Sequence, residues 1–291
     1  MNNKQVRYAF ILAYSKEYPI STLAEITKVS RSGYYKWLKR DGESSLDKKD
    51  EEMIPFILKI FNDHKGTYGR KRIKLALENE YQIKVNEKRV SRLIRKYGLQ
   101  CKIRRKRFKR FPQPHGKIPN ILERNFRANK PGIKFAVDIT YMDVKKGNQK
   151  WMYLCSIKDL FNGEIVAYSI GTSQEIALVH RALNELQKKG FAKGAILHSD
   201  QGFQFTNPAY MKRLKDMGIT QSMSRRGNCW DNACIENFFG HLKSEMYHFT
   251  NPKTVIEVHN AVDTYMNYYN NKRIQIKLKM SPVQYRLRAA V

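Results

Sequence analysis

Cysteine and long apolar runs are what this sequence most lacks. Its 291 residues include four cysteines, which are Cys101, Cys155, Cys229 and Cys234. So few and so unevenly spaced, they exclude a disulfide framework and favour free thiols in a reducing compartment. No segment approaches the roughly 18 uninterrupted apolar residues that a membrane-spanning helix needs. Residues 1–13 also lack the apolar core and cleavage site of a secretory signal. These absences predict a cytoplasmic protein with no membrane partner.

Acidic residues are also few compared with basic ones. Asp and Glu number 26 against 55 Lys and Arg, which gives a formal net charge of +29. Residues 1–130 hold 33 basic and 13 acidic residues, a net charge of +20, whereas residues 131–291 hold 22 and 13, a net charge of +9. An excess this large favours a polyanionic partner, and nucleic acid fits it better than a membrane surface that no segment can enter. The length allows more than one domain.

Two helical units are predicted in the more basic half. Residues 1–45 contain two helical stretches, 20–26 and 29–38, that resemble a helix-turn-helix with Ser21 and Ser30 as N-caps. Residues 46–100 form a second unit, whose last helix is expected to begin after Asn86 and to end at Gly98.

This last helix is amphipathic. Its apolar residues recur at helical spacing and are Val90, Leu93, Ile94 and Tyr97. The basic residues on its other positions are Lys88, Arg89, Arg92, Arg95 and Lys96. An outward basic face suits insertion along a DNA groove, although a solvated basic helix that only keeps the protein soluble explains the pattern equally well.

Residues 101–130 are predicted to be an extended basic arm. Seven of the residues 101–111 are basic, including Arg104, Arg105 and Arg107, and three prolines follow by position 119. Packed like charges repel one another unless phosphates neutralise them. Because aromatic rings are interleaved with the charges, contact with a DNA backbone is favoured over a disordered basic tether.

From residue 131 the pattern changes to that of an α/β domain. The expected strands are 133–144, 150–159, 164–170, 195–199 and 219–224, and the expected helices are 173–189 and 208–217, followed by a helix that carries Glu236 and is capped by Asp231. Asn162-Gly163 is a strong hairpin signal. This order predicts a mixed five-stranded sheet with flanking helices over residues 131–247.

The C-terminal region, residues 248–291, is expected to hold one more helix and a basic tail. The helix spans 254–271 and is expected to pack on the core. The basic residues of the tail are Arg273, Lys277, Lys279, Arg286 and Arg288. The tail is interpreted as a surface for DNA or for a second subunit.

Three carboxylates stand out as catalytic candidates. Asp138 lies within an apolar strand, Asp200 follows a short buried strand, and Glu236 lies on a helix. Taken singly, they are explained by an ion pair, a turn and a solvated helix face. Together they offer the oxygen ligands that hold a pair of Mg²⁺ ions for phosphodiester chemistry. Lys243 shares a helix face with Glu236 and is a candidate phosphate contact, although an ordinary surface lysine is the simpler explanation.

Two further side chains have a catalytic and a plain interpretation. His198 is a possible general base, but a strand-end histidine satisfied by hydrogen bonds is favoured. Cys229 and Cys234 have a spacing that zinc ligands use, but no second Cys or His pair lies near them, so a zinc site is not favoured.

Several motifs carry a resemblance to a known family. The chain resembles the integrase-type DDE transposases encoded by the second reading frame of bacterial insertion sequences of the insertion-sequence-three family, whose cores are related to retroviral integrases. The matching segments are Val137-Asp138-Ile139-Thr140, His198-Ser199-Asp200-Gln201-Gly202, Asp231-Asn232-Ala233 with Glu236, Leu242-Lys243-Ser244-Glu245, Tyr269-Asn270-Asn271-Lys272-Arg273 and Ser281-Pro282.

The resemblance implies an RNase H-like integrase catalytic core, preceded by all-α helix-turn-helix domains that include residues 46–100. It places the catalytic and metal-binding triad on Asp138, Asp200 and Glu236, with Lys243 as the accompanying lysine. It implies two Mg²⁺ ions in each active site, with Mn²⁺ as a substitute. It also implies cleavage and strand transfer at insertion-sequence ends.

The expected partners are double-stranded DNA, as terminal inverted repeats and target, and further copies of the chain in a homo-oligomer. A first-frame protein, free or joined by frameshifting, is a further possible partner. The expected location is the bacterial cytoplasm, on the nucleoid when DNA is bound. Two alternatives stay open: a non-catalytic DNA-binding regulator, and an RNA/DNA hybrid hydrolase on the same fold.

Overall fold

The computed structural model describes residues 4–39, 45–102, 118–123, 125–190, 194–225 and 231–289. The chain divides into two compact units: the first comprises Met1–Leu77 and Gln82–Gln100, and the second comprises Glu78–Tyr81 and Cys101–Val291. Among the described residues no helix is both long enough and apolar enough to cross a membrane.

The first unit begins with three short helices, α1 Lys4–Tyr14, α2 Ile20–Ile26 and α3 Arg31–Leu38. They enclose a small core of Ile11, Leu23, Ala24 and Tyr34.

The caps of these helices agree with the sequence in one case and not in the other. Ser30 caps α3 as predicted, because its side chain accepts a hydrogen bond from the Gly33 N–H at 3.1 Å. Ser21 is not a cap, because α2 begins at Ile20 and Ser21 therefore lies inside the helix. Pro19 holds the cap position and makes no side-chain cap hydrogen bond. Gly33 is explained by close packing: a Cβ there would clash with the hydroxyl oxygen of Tyr8.

The helices α4 Ser45–Asp63, α5 Arg70–Tyr81 and α6 Glu87–Lys96 follow. Both predicted ends of α6 are confirmed. The Asn86 side chain accepts a hydrogen bond from the Lys88 N–H at 2.8 Å. Gly98 has a φ of +64°, and the Leu99 N–H bonds back to the Ile94 carbonyl at 2.9 Å, which closes the helix with a left-handed turn.

The second unit is built on the predicted mixed sheet, which is confirmed. Its strands are β1 Lys134–Asp143, β2 Trp151–Asp159, β3 Ile165–Gly171, β4 Ile196–Ser199 and β5 Thr220–Met223. The spatial order is β3-β2-β1-β4-β5. The first three strands form an antiparallel meander, and β4 and β5 run parallel to β1. The predicted hairpin at Asn162-Gly163 joins β2 to β3, and Gly163 has a φ of +75°.

The helices described in this unit are α7 Ile176–Lys188, α8 Pro208–Asp216, α9 Ala233–Thr250, α10 Val255–Asn271 and α11 Pro282–Ala289, and α11 packs against α10. Phe135 and Val137 of β1 pack with α7 and α8 on one face. Ala136 packs with α9 and α10 on the other face. Because side chains alternate along a strand, Asp138 shares the α9 face with Ala136.

Two predictions about the second unit were wrong. Asp231 does not cap α9: Asn232 occupies the cap position, and Asp231 pairs with Arg225 instead. The region after α10 is not a free tail, because it forms α11 and its first arginine, Arg273, is fully buried.

Candidate active site

Asp138 lies in the middle of β1, directly opposite Ser156 of β2. Its Oδ1 accepts a hydrogen bond from the Ile139 N–H at 2.7 Å. Burial raises the pKa of Asp138 well above its usual range, and the charges of Asp200 and Glu236 raise it further, while the Ile139 N–H and Lys243 act against the rise. The carboxyl is therefore held where its negative charge is unfavourable.

Asp200 is brought beside Asp138 by the sheet. β1 and β4 are parallel neighbours in which Ala136 faces His198, so two residues further along each chain lead to Asp138 and Asp200. The Asp200 Oδ1 accepts a hydrogen bond from the Gly202 N–H at 2.9 Å. A Cβ on residue 202 would lie 3.0 Å from that oxygen, so a glycine suits this tight turn.

Glu236 lies in the first turn of α9, the helix that covers this face of the sheet. Although the residue is exposed to solvent, partial burial of its carboxyl and the charge of Asp200 raise its pKa. Since Asp200 and Glu236 both raise the pKa of Asp138, the structure brings together three carboxylates from three separate elements.

The donor chemistry of this trio fits a hard divalent cation such as Mg²⁺, which prefers carboxylate oxygens. The mutual repulsion of the three groups also favours a cation between them. Within the described ranges, no three Asp, Glu, His or Cys side chains converge tightly enough to hold a single ion together.

Lys243 lies two turns after Glu236 on α9. Its Nζ is 4.1 Å from the ring centroid of Tyr141, which is on β1 three residues after Asp138. Burial lowers the pKa of Lys243, while Asp143 and Asp138 act to raise it. The lysine is thus close enough to Asp138 and Asp143 for their charges to affect its pKa.

His198 is a structural residue of the sheet. It is fully buried, and its ring nitrogens make hydrogen bonds with the hydroxyl groups of Ser222 at 2.9 Å and Ser224 at 3.2 Å. Burial lowers its pKa to about 4, against a smaller opposite effect of Asp231. Its two serine partners agree with the favoured interpretation of a strand-end histidine satisfied by hydrogen bonds.

A buried network beside the start of α9 was missed in the sequence. The Asp231 carboxylate accepts hydrogen bonds from the Arg225 N–H at 2.9 Å and from the Asn120 side chain at 2.9 Å. The Arg225 guanidinium also pairs with it at 3.1 Å. Lys158 of β2 donates to the Cys234 carbonyl at 3.0 Å, in the first turn of the helix. The sequence signal that could have indicated these contacts is the short separation of Arg225 and Asp231, two oppositely charged residues six positions apart.

The basic helix α6 divides its predicted DNA contacts into two kinds. Asp50 of α4 is buried and forms ion pairs with Arg89, at 2.7 Å, and with Arg92. The other basic side chains of the helix are exposed, and they are Lys88, Arg95 and Lys96. Two of the five candidates thus have a partner inside the protein.

Some of the predicted residues cannot be placed. Arg104, Arg105, Arg107 and Cys229 lie outside the described residues. Cys234 is a half-buried free thiol.

Matches to family models define the class of the protein as an integrase-core polynucleotidyl transferase. Two family models described as integrase core domains match residues 128–229 and 236–289. A model described as an HTH-like domain matches residues 47–107.

Three relatives make the assignment narrower. A putative transposase for insertion sequence element IS150 of Escherichia coli is 37% identical over 274 residues, which cover 92% of this chain and 94% of the relative. An uncharacterized transposase-like protein of Haemophilus influenzae is 39% identical over 70% of this chain and 94% of its own length. The transposase for insertion sequence IS3A of Escherichia coli is 32% identical over 84% of each chain. The chain belongs to the transposases of bacterial insertion sequences.

Solved structures give a weaker likeness. A chain of the simian T-cell lymphotropic virus intasome in complex with PP2A regulatory subunit B56 gamma superposes with a TM-score of 0.49, at 15% identity and 60% coverage of each chain. The HTLV-2 integrase catalytic core domain in complex with magnesium gives a TM-score of 0.44, at 14% identity over 55% of this chain and 99% of that core. The family assignment rests on the sequence relatives.

Proposed function

We propose that this transposase cleaves DNA at insertion-sequence ends and joins the freed strand to a new site, in a reaction that depends on Mg²⁺. The observation that carries the proposal is that, besides burial, Asp200 and Glu236 raise the pKa of Asp138 and Asp200 raises that of Glu236.

Asp138 would contribute to both of two metal sites, while Asp200 and Glu236 would each complete one. When bound, such ions neutralise charge on the phosphoryl oxygens and make an oxygen nucleophile available at neutral pH. Asp138 lies on β1 and Asp200 directly follows β4, the parallel neighbour of β1, and this pairing holds their spacing. Glu236 lies on α9, which packs against that sheet, and would complete the site from the helix side. Mn²⁺ shares the preference for oxygen ligands and would substitute.

Lys243 would bind the phosphate next to the scissile bond, because its helix face also carries Glu236. Lys88, Arg95 and Lys96 would contact the DNA backbone from α6, with Arg89 and Arg92 turned toward Asp50. Arg104, Arg105 and Arg107 are proposed contacts from the basic arm. Two DNA ends must meet for joining, so a homo-oligomer on terminal repeats and target DNA is part of the proposal, as is an accompanying first-frame protein.

The test is strand cleavage by the full chain on a duplex that copies one end of the element, with Mg²⁺ present. Asp138→Asn, Asp200→Asn and Glu236→Gln should each lower the cleavage rate by roughly a thousandfold or more, because each removes a metal ligand. Affinity for the same duplex, measured in Ca²⁺, should stay within about twofold.

The matched control is Asp216→Asn, an exposed carboxylate on α8 that should change neither quantity. If the Asp200→Asn chain still cleaves at the normal rate, the triad is wrong. If the unaltered chain binds the duplex but neither nicks nor joins it, a DNA-binding regulator is the better conclusion. Hydrolysis of an RNA/DNA hybrid without joining would favour a hybrid hydrolase.

A further inference from the structure

Tyr141 is a large aromatic residue on β1 that the core does not bury. It is 56% exposed and lies three residues after the half-buried Asp138. Tyr141 packs against Trp151 in an edge-to-face arrangement, with ring centroids 5.0 Å apart and an interplanar angle of 88°. This contact fixes the orientation of the Tyr141 ring and leaves much of it open.

The ammonium group of Lys243 lies over that ring, with Nζ 4.1 Å from the centroid. This is a cation–π distance, and the contact joins α9 to β1. The two elements are also joined one turn later, where the Tyr247 hydroxyl donates to the Asp143 carbonyl at 2.9 Å. The packing of α9 on β1 therefore does not depend on the lysine.

The lysine has carboxylates nearby but does not pair with them. Asp138 and Asp143 both affect the charge of Lys243, yet among the described residues neither forms an ion pair with it. A flexible lysine side chain would otherwise swing onto the nearest carboxylate. The Tyr141 ring instead binds the Lys243 ammonium group through a cation–π contact near the carboxylates, which leaves the carboxylate oxygens available.

We propose that Tyr141 is a positioning residue, whose ring holds the Lys243 ammonium beside the Asp138 carboxylate and ready for a phosphate of the bound strand. This inference rests on the proposed function, because it assigns Lys243 to the DNA strand that the carboxylates act on. It makes the ring face, and not the hydroxyl group, the part of Tyr141 that matters.

The test is a double-mutant cycle in the full chain, with Tyr141→Phe, Tyr141→Leu and Lys243→Gln, and Tyr141→Leu combined with Lys243→Gln. The measured quantity is the single-turnover rate of cleavage of the element-end duplex in Mg²⁺. Tyr141→Leu should slow cleavage about three- to tenfold, the effect of losing a half-exposed cation–π contact, and Tyr141→Phe should stay within about twofold of the unaltered chain. In the Lys243→Gln background, Tyr141→Leu should cause no further loss.

Two outcomes of the cycle overturn the inference. Equal losses for Tyr141→Leu with and without Lys243 mean that the ring contacts the DNA itself. A loss with Tyr141→Phe as large as with Tyr141→Leu means that the hydroxyl group is what acts. The thermal midpoint of Tyr141→Leu should stay unchanged, since Tyr247 still joins α9 to β1, and a large fall there assigns the ring a merely structural role.

A second measurement does not depend on activity. After reductive methylation of the lysines with an isotope label, the NMR signal of Lys243, assigned by its absence in Lys243→Gln, should be shifted upfield by the ring. The shift should persist in Tyr141→Phe and vanish in Tyr141→Leu. If the unaltered chain does not cleave, the proposed function fails. An unshifted Lys243 signal in a chain that does cleave rejects the positioning role alone.

Discussion

One helix, α9, carries two carboxylates in opposite situations. Glu236, near its start, has its pKa raised by partial burial and by the charge of Asp200, another carboxylate. Glu245, nine residues later, is buried between cations and donors: the Arg273 guanidinium reaches its two oxygens at 2.6 and 2.7 Å, and the Tyr265 hydroxyl donates at 3.0 Å. The chain thus pairs one carboxylate fully and gathers the other with like charges.

The difference is informative because cations were abundant. The chain has 55 lysines and arginines, so a basic partner for a carboxylate is readily available in its composition. At Glu245 such a partner is used, and α9 is fixed to the region after α10. The ion pair of Glu245 with Arg273 fixes the position of α9. The helix can therefore hold Glu236 near other carboxylates, an arrangement that is unfavourable until cations bind.

The largest effect expected from this comparison is at Arg273. Its side chain is fully buried, and although burial alone would lower its pKa, the hydrogen bonds and charge of Glu245 raise it. Arg273→Ala leaves Glu245 buried without its cation, so it should lower the free energy of unfolding by about 3–5 kcal/mol. Denaturant unfolding of the two proteins measures this.

The matched control is Arg286→Ala. Its guanidinium is 39% exposed and pairs with Glu164 at 2.8 Å, so its loss should cost about 1 kcal/mol or less. Equal costs at the two arginines would mean that the buried pair is no firmer than a surface pair. The contrast between the two ends of α9 would then lose its basis.

These two arginines also mark the limit of the sequence interpretation. Both were assigned to a basic tail, because local composition reports charge and not burial. The partner of Arg273 lies 28 residues earlier on another helix, and that of Arg286 lies 122 residues earlier. Pairings at such separations leave no periodic pattern in the chain.

Features with local causes were predicted well. The strands show alternation, Asn162-Gly163 marks a hairpin, and Asn86 and Gly98 bound α6 through contacts within a few residues. The nearness of Asp138 and Asp200 is intermediate: motifs named the residues, but the parallel register of β1 and β4 sets them side by side. Asp231 was misassigned because its partners, Arg225 and Asn120, lie outside the helix it precedes.

The next effect concerns His198, two residues before Asp200. If this histidine were charged at neutral pH, it would compensate the trio, and the comparison would weaken. Burial lowers its pKa to about 4, so it is neutral there. The unfolded chain takes up the proton near pH 6.5, and stability due to the neutral ring is therefore present above that pH and lost as the pH falls toward 4. The loss should reach about 2–3 kcal/mol.

The measurement is the free energy of unfolding from pH 7 to pH 4.5, compared between the unaltered chain and His198→Gln. The difference between them should change over this range, because only one of them carries the titrating ring. Parallel curves would mean that His198 titrates normally. A charged histidine would then be available to the carboxylates at mildly acidic pH.

The smallest effect is on the trio itself. Burial and the neighbouring carboxylates raise the pKa of Asp138, so the folded chain binds this proton more tightly than the unfolded chain does. Stability from this group is complete below the unfolded pKa and is lost as the pH rises through the folded one. Asp138→Asn removes the charge and should therefore stabilise the metal-free protein at pH 7 by about 1 kcal/mol, as expected for a functional site that is costly to the fold.

Thermal melts with EDTA and with Mg²⁺ measure the sign. Mg²⁺ should raise the midpoint of the unaltered chain, because a cation bound by the folded state alone stabilises it, and should raise that of Asp138→Asn much less. Asp216→Asn, on exposed α8, should behave like the unaltered chain in both solutions. If Asp138→Asn instead lowers the midpoint in EDTA, Asp138 is a structural carboxylate with a stabilising partner, like Glu245. The contrast between Glu245 and the catalytic trio would then be lost. An increase in EDTA together with a smaller Mg²⁺ effect keeps the two ends distinct.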